Sequence, residues 1–366
     1  MGLRRHLAAL ALAWALTACA PGAPTDTSPP PSTADGRSAA PSATSPGTPG
    51  QGAPAASAVD WSDVAKRVSP SVVAISVQAR QGSSSGSGVV IDDKHVVTNH
   101  HVIEAASQGG GQVLVTLHDE RVFATRLVGS DAASDLAVLE VVDPPKDLTA
   151  IETGSSDDLV VGAPVMAVGN PLGLAGTVTT GIVSALNRPV TAGDASQGSG
   201  EPVVTNAIQT SAAVNPGNSG GALVNADGKL VGINSSIATL EQGSGNIGIS
   251  FAITQRQMQS VVDQILKSRK AEHPWLGVQV QDAIVEVDGS RRWAAGLGVV
   301  GADTPAQKAG LKDGDGITAI DGEAVDSALS LIAQVRERRV GSTAKLTVVR
   351  DGKQQQLEVS LAARPS

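Results

Sequence analysis

The segment NPGNSGGAL, residues 215–223, places one serine, Ser219, among three glycines and two asparagines. Gly, Asn and Ser are ordinary turn residues, so taken alone the segment predicts only a tight turn. A serine can also act as a nucleophile, but its hydroxyl is weak at neutral pH. It then requires a base within hydrogen-bonding reach, a carboxylate to orient that base, and donors for the oxyanion. A catalytic Ser219 therefore predicts a histidine and an aspartate elsewhere in the chain.

Two upstream segments supply candidate partners for Ser219. VVTNHHVIEAA contains His100 and His101, where a predicted strand runs into a helical turn. GSDAASDLAVLEV contains Asp131 and Asp135, just before a predicted buried strand. The resulting order of His, Asp and Ser is that of chymotrypsin-like enzymes and differs from the subtilisin order.

The same serine also fits a different motif, because GNSGG matches the G-x-S-x-G nucleophile elbow of α/β-hydrolases. That fold requires a helix directly after the serine, and its acid and histidine lie downstream. Here GALVNADGKLVGINSS is typical of a strand, an Asp-Gly turn and a second strand. The only histidine after Ser219 is His273, beside Pro274. The elbow is therefore excluded.

The elements that must position these residues are short β-rich runs, separated by Gly, Asp, Pro and Ser turns at the spacing of a barrel or sandwich. They include GSGVVID, HVVTNHHVI, QVLVTLHD, DLAVLEV, PVMAVGN, TVTTGIVSAL and KLVGINSSI. DWSDVAKRVSP predicts a short helix capped by Ser62 and ended before Pro70. QRQMQSVVDQILKSRK predicts an amphipathic helix that closes the domain. AEHP, ending at Pro274, marks the boundary to a smaller domain, whose last two strands are joined by an Asp351-Gly352 turn.

The composition limits the class of protein. A chain of 366 residues with 41% hydrophobic residues can form two or three domains with a sizeable core. Its many glycines and few helical patterns predict a mostly β protein. The net charge of −8 argues against nucleic acid as a partner. With a single cysteine and no H-E-x-x-H motif, neither a metal site nor another cofactor is expected.

The N-terminal segment predicts export. Residues 1–19 combine two arginines, a short apolar run and small residues, as a secretory signal does. LTAC resembles a bacterial lipobox, which predicts that Cys19 is lipidated and becomes the new N-terminus. Ordinary cleavage after ACA is the alternative, and it would leave Pro21 directly after the cut. Residues 20–58 are rich in Pro, Ala, Ser, Thr and Gly and predict a disordered tether with an extended limit of about 120 Å.

The motifs together resemble the HtrA/Deg family of serine proteases. The matching segments are VVTNHHVIEAA, GSDAASDLAVLEV, VGNPLGLAGTVTTGIVSALNR, NPGNSGGALVN and NIGISFAIT, in the family's order and spacing. WLGVQV with DTPAQKAGLKDGDGITAIDGEAV resembles the PDZ domain that follows the protease in that family. The resemblance implies a chymotrypsin-like double β-barrel over residues 59–270 and a small α+β PDZ domain over residues 273–364.

The resemblance also assigns roles to individual residues. The family pattern T-N-x-H-V places the base at His101 and leaves His100 in the variable position, and D-L-A-V places the orienting acid at Asp135. The nucleophile is Ser219. The implied oxyanion hole spans Gly217, Asn218 and Ser219, with the backbone N–H groups of the first and last as donors. The implied substrate pocket is uncharged and is formed by Ala213, Ser250 and Phe251.

The PDZ resemblance implies a second binding site. Such domains add a peptide as a strand at a sheet edge and hold its C-terminal carboxylate with backbone amides. Here those amides belong to Leu276, Gly277 and Val278; the alternative is a domain that only packs on the protease.

Together, the motifs and the N-terminal segment predict an exported, ATP-independent serine endopeptidase, anchored by Cys19 to the outer face of the cytoplasmic membrane or the cell envelope. Its expected partners are unfolded polypeptides and peptide C-termini, and family members form homotrimers. The rival hypothesis is a peptide-binding chaperone or scaffold with little proteolytic activity.

Overall fold

The computed structural model describes residues 59–80, 82–170, 176–192, 203–235 and 248–365. The predictions for residues 1–58, including the lipidation of Cys19, lie outside these ranges. The described chain forms two closed six-stranded barrels followed by a small domain of strands and helices, which confirms the predicted fold class. Within the described ranges, no helix has the length and apolar character needed to cross a membrane.

The first barrel consists of six antiparallel strands. These are β1 (Val72–Ala79), β2 (Gly82–Val90), β3 (His95–Thr98), β4 (Gly111–Thr116), β5 (Val122–Asp131) and β6 (Leu136–Val141). Their order around the barrel is β1-β2-β3-β6-β5-β4. Neighbouring residues of a strand point to opposite faces. For this reason Val73, Ile75 and Val77 of β1 all lie in the core inside this barrel.

The second barrel repeats this design. Its strands are β7 (Pro164–Gly169), β8 (Thr177–Ala192), β9 (Val203–Thr210), β10 (Ala222–Asn225), β11 (Leu230–Ser235) and β12 (Ser250–Thr254). Their order is β10-β11-β12-β9-β8-β7. Val165 and Ala167 of β7 and Leu223 of β10 are buried in its core.

A third core fills the space between the two barrels. It contains outward-facing residues of both barrels, such as Val89 of β2 and Met166 of β7. Two helices complete it, α1 (Trp61–Val68) and α3 (Gln255–Ser268), the latter being the predicted closing helix. Burying each large aliphatic side chain contributes about 1.5–3 kcal/mol. This core fixes the barrels against each other, so loops from both can form one site.

The smaller domain is built on one antiparallel sheet. Its strands are β13 (Pro274–Trp275), β14 (Val278–Val287), β15 (Ser290–Val300), β16 (Gly316–Ile320), β17 (Glu323–Ala324), β18 (Thr343–Arg350), β19 (Lys353–Ser360) and β20 (Ala362–Ala363). The main sheet has the order β14-β15-β16-β18-β19, while β17 pairs with β16 and β13 with β20. The helices are α4 (Pro305–Lys308) and α5 (Ala328–Arg336). Within this sheet β14 is an edge strand, as strand addition by a peptide requires.

A buried carboxylate joins the smaller domain to the second barrel. Glu337 caps the end of α5 and is only 2% exposed. Its Oε2 accepts hydrogen bonds from Asn206 Nδ2 at 2.7 Å and pairs with Arg256 Nη2 at 2.7 Å. Its Oε1 accepts from Thr254 Oγ1 at 2.6 Å. One side chain of the smaller domain is therefore held by β9, β12 and α3.

Candidate active site

The helix α2 (His100–Gly109) begins at the loop that carries Asp135. Its N-cap residue, Asn99, makes no capping bond to the helix; its Nδ2 donates instead to the backbone oxygen of Asp135 at 3.0 Å. The His100 N–H donates to the same oxygen at 3.1 Å, and the His101 N–H donates to Asp135 Oδ1 at 3.0 Å. Asp135 has a φ of 54°, in the left-handed region, at the turn between β5 and β6. The first turn of α2 is thus bound to this one aspartate.

The side chains of His101 and Asp135 are in direct contact. His101 Nδ1 lies 3.0 Å from both carboxylate oxygens, and Ser235 Oγ donates to Oδ2 at 3.3 Å. Asp135 is 3% exposed. An ionised carboxylate can only accept hydrogen bonds, so Nδ1 carries the ring proton in the neutral imidazole. That tautomer leaves Nε2 as an acceptor, which a general base requires.

The Ser219 loop (residues 215–221) reaches this pair from the second barrel. Ser219 is 3% exposed, and its backbone oxygen accepts from the N–H of Ser87 in β2 at 2.8 Å. The next residue, Gly220, has a φ of 83°, and a Cβ there would lie 2.1 Å from the Ser87 backbone oxygen. The same Cβ would lie 3.2 Å from the N–H nitrogen of Asn99. The loop therefore packs against the strand end that leads into His101.

The residues predicted to bind the oxyanion differ in what their N–H groups do. The Asn218 N–H donates to Asn215 O at 2.9 Å, which closes a turn within the Ser219 loop. The backbone N–H of Asn218 is therefore engaged within the loop. The backbone N–H groups of Gly217, which has a φ of 97°, and of Ser219 stay the predicted donors.

Two of the three predicted pocket residues lie together. Ser250 is 2% exposed, and its Oγ accepts from the N–H of Val214, the residue after Ala213, at 3.0 Å. Phe251 follows Ser250 in β12, where adjacent side chains point to opposite faces. The assignment of Ala213, Ser250 and Phe251 to a substrate pocket stays a prediction.

The second candidate aspartate has a different partner. Asp131 Oδ1 lies 2.9 Å from His273 Nε2, and its other oxygen accepts from the Ser134 hydroxyl. Burial alone would raise the pKa of the Asp131 carboxyl, but the bonds from His273 and Ser134 outweigh it and hold that pKa below its usual value. Asp131 thus binds the start of the smaller domain, while Asp135 binds His101.

Sequence analysis did not identify several residues that contact the site. Ser87, Asn99 and Ser235 bond to the Ser219 loop or to Asp135 from positions 36 to 132 residues away in the chain. For Ser87 there is a local signal, since Gly86 and Gly88 flank it and paired glycines in a strand indicate close backbone approach. Asn99 stands in the T-N-x-H-V pattern, which assigned it no role, and Ser235 carries no comparable signal.

The three predicted residues of the smaller domain line a cavity of about 260 Å³. Leu276, Gly277 and Val278 form the turn into β14, and Gly277 has a φ of 81°. A Cβ at Gly277 would lie 2.4 Å from the side chain of Thr304, so only glycine fits there. The other lining residues include members of α5 and also Val204 of β9, so the second barrel forms part of the wall.

Two family models match this chain. One described as "Trypsin-like peptidase domain" matches residues 86–233, and one described as "PDZ domain" matches residues 245–361. Similar solved structures include the HtrA-type protease AlgW with a tripeptide, which has a TM-score of 0.61 and 34% identity. The match covers 84% of this chain and 98% of that one. AlgW with a decapeptide gives a TM-score of 0.58 at 31% identity and covers 84% and 100% of the two chains.

Curated relatives carry protease names. Serine protease PepD of Mycobacterium tuberculosis is 43% identical over 296 residues, which are 78% of this chain and 62% of that protein. The periplasmic serine endoprotease DegP of Escherichia coli is 41% identical over 292 residues, which are 78% of this chain and 58% of that protein. The chain therefore spans about three fifths of the length of these relatives.

Proposed function

Because this chain belongs to the HtrA/DegP family of serine proteases, in which a trypsin-like peptidase domain precedes a PDZ domain, we propose that it is an endopeptidase acting on unfolded or damaged exported proteins. Ser219 is the proposed nucleophile, His101 the base and Asp135 the acid that orients the base. The observation that carries the proposal is the contact of His101 Nδ1 with both carboxylate oxygens of Asp135, beside the Ser219 loop.

Peptide hydrolysis follows from this arrangement in two steps. His101 Nε2 takes the proton of the Ser219 hydroxyl as its oxygen attacks the peptide carbonyl, and then gives that proton to the leaving amine. The N–H groups of Gly217 and Ser219 bind the oxyanion of each tetrahedral intermediate. Water, activated by His101, then attacks the acyl-enzyme and releases the acid product. Asp135 stays ionised and stabilises the imidazolium.

The proposed substrate pocket favours small aliphatic side chains such as Val and Ala. Ala213 and Ser250 bring no charge, and an unpaired buried ammonium costs several kcal/mol. A lysine or arginine side chain is therefore disfavoured before the cleaved bond. Mass-spectrometric mapping of cleavage sites in an unfolded protein checks this, and a majority of cuts after Lys or Arg would contradict it.

The smaller domain is proposed to bind peptide C-termini. Support comes from the open edge of β14, from the cavity beside it, and from the turn of Leu276, Gly277 and Val278 at one end. A peptide added to β14 would place its carboxylate near the amides of that turn. Localisation belongs to the same proposal: export directed by residues 1–19, with lipidated Cys19 as the anchor. A homotrimer is the proposed assembly, by family resemblance.

Digestion of casein by the full chain, with and without a serine-directed phosphonate, tests the proposed activity. Replacing Ser219 or His101 by alanine should lower peptide hydrolysis by roughly 10⁴ or more, the scale for losing a triad member. The matched control is His100→Ala, which should keep most of the activity because His100 binds Asp135 through its backbone N–H, which alanine retains. Equal losses at His100 and His101 would refute the choice of base. Casein that is bound without being cut would favour the chaperone hypothesis.

A further inference from the structure

Ser87 of the first barrel makes two hydrogen bonds to the Ser219 loop. It lies in β2 between two glycines and is fully buried. Its N–H donates to Ser219 O at 2.8 Å, and its hydroxyl donates to Gly217 O at 2.6 Å. A single residue therefore holds the backbone on both sides of Asn218.

The direction of the hydroxyl bond is determined by a third contact. The backbone N–H of Asn170 donates to Ser87 Oγ at 2.8 Å. A backbone N–H can only donate, so Ser87 Oγ must accept there, and its one proton is left for Gly217 O. The Ser87 backbone oxygen accepts from Thr98 Oγ1 at 2.7 Å. Ser87 is thus fixed by its own barrel while it binds the other.

These bonds fix the two peptide groups on either side of the one that carries the Ser219 N–H. In a planar trans peptide the C=O and N–H groups point in opposite directions. Ser87 Oγ holds the carbonyl of Gly217, so the N–H of Asn218 faces away from it, toward Asn215 O. The Asn218 carbonyl accepts from the Gly221 N–H at 3.0 Å, which fixes the peptide that carries the Ser219 N–H.

The close approach of the two barrels depends on glycine at position 86. A Cβ there would lie 2.7 Å from the side chain of Val102, the residue after the proposed base, and 3.1 Å from Ser219 O. β2 therefore contacts the first turn of α2 and the Ser219 loop at the same point. Ser87 therefore lies where it can fix the position of the Ser219 loop relative to His101.

We propose that Ser87 is a positioning residue for the oxyanion hole. It acts through the carbonyls of Gly217 and Ser219, which belong to the peptide groups before and after the one that carries the Ser219 N–H. Holding both neighbours keeps that N–H, a proposed oxyanion donor, in place. The role rests on the proposed function, because it needs a reaction in which an oxyanion forms. Preorganised donors matter most in the transition state. Loss of Ser87 should therefore affect kcat and leave KM nearly unchanged.

The test compares Ser87→Ala with Thr125→Val in the full chain. Thr125 is the matched control because its hydroxyl also donates to a backbone oxygen within the first barrel, Val113 O at 2.9 Å, away from the Ser219 loop. Removing a direct oxyanion donor costs about 10²–10³ in kcat. Loss of the group that orients the donors should cost about 10- to 100-fold, with KM within about threefold of wild type. Thr125→Val should keep kcat within about threefold.

Inhibitor binding separates positioning from a general loss of structure. A peptide boronic acid forms a tetrahedral adduct that uses the oxyanion hole, so its affinity for Ser87→Ala should fall as far as kcat does. Thermal unfolding of both variants gives the structural cost. If Ser87→Ala does not fold, Ser87→Cys, which fills the site with a slightly larger side chain and keeps a weak donor, should show a smaller fall in kcat at unchanged KM.

Three results would overturn the role of Ser87. They are an unchanged kcat, a raised KM with kcat retained, and a kcat loss no larger than that of Thr125→Val at equal stability. Wild-type protein that neither hydrolyses peptide nor reacts with a phosphonate at Ser219 would overturn the proposed function, and the role of Ser87 with it. The wild-type control therefore distinguishes the two failures.

Discussion

Replacing Asp135 by asparagine should disable the proposed base while preserving its surroundings. The carboxylate accepts from the His101 N–H and from Ser235 Oγ and faces His101 Nδ1 with both oxygens at 3.0 Å. An asparagine has one accepting oxygen and one donating nitrogen. The His101 N–H can only donate, so the amide oxygen must take the place of Oδ1. The amide nitrogen then faces the imidazole.

The magnitude follows from the tautomer that this arrangement imposes. The amide nitrogen in place of Oδ2 stabilises the tautomer in which His101 Nδ1 accepts and the ring proton lies on Nε2, the nitrogen needed to take the proton of Ser219. In a chymotrypsin-like protease this substitution lowers kcat by about 10⁴. That fall corresponds to about 5 kcal/mol of lost transition-state stabilisation. We expect a fall of about 10³–10⁴ in kcat/KM for Asp135→Asn.

The assay is hydrolysis of a fluorogenic peptide at neutral pH, with Asp131→Asn as the matched control. Asp131 lies four residues earlier and bonds to His273, so its substitution should leave kcat/KM within about threefold. Thermal unfolding shows whether either variant is damaged. A fall of less than tenfold for Asp135→Asn, or an equal fall for Asp131→Asn, would refute the reasoning.

Three further predictions concern stability. Glu337→Gln should lower the free energy of unfolding by about 2–4 kcal/mol, because an amide nitrogen would face hydrogen-bond donors in the buried site. Glu358 is exposed, so Glu358→Gln should change the free energy of unfolding by less than about 0.5 kcal/mol in the same denaturant titration. Gly220→Ala should cost about 3 kcal/mol or more, because its Cβ would meet backbone at 2.1 Å. Gly322→Ala, with a φ of 88° and open space, should cost about 1 kcal/mol. Because the pKa of Asp131 is lowered in the folded protein, its ionised carboxylate stabilises the fold at pH values above its unfolded pKa near 4. The difference in unfolding free energy between wild type and Asp131→Asn should therefore be about 1–3 kcal/mol at pH 7. It should shrink as the pH falls through the lower folded pKa.

Local patterns in the sequence were sufficient for the features that depend on neighbouring residues. Alternating apolar residues identified the barrel strands, and the Asp351-Gly352 pair identified the final hairpin turn, where both residues have positive φ, 51° and 74°. Helix starts were less certain: Asp60 caps α1, with its side chain accepting from the Asp63 N–H, and not Ser62 as predicted. Both residues are common caps, so composition alone does not choose between them.

Features that depend on contacts distant in sequence could not be predicted. The hydrogen bond between Ser87 and Gly217 joins residues 130 positions apart in the chain, and neither segment contains a pattern that predicts contact with the other. The turn closed by the Asn218 N–H requires knowledge of the backbone path, which the motif does not contain. The chemical identity of the proposed site was thus accessible from the sequence, but the way in which it is held was not.

The division of the proposed site between two barrels has a consequence for how the chain matures. His101 and Asp135 belong to the first barrel, whereas Ser219 lies about 80 residues later, in the second. A chain that has folded only its first barrel therefore holds a base and an acid with nothing to activate. Under the proposed function, hydrolysis requires that the second barrel has also folded and docked, so a molecule with only its first barrel folded would be unable to cut neighbouring chains. The proposed activity therefore requires both barrels, because each one carries part of the site.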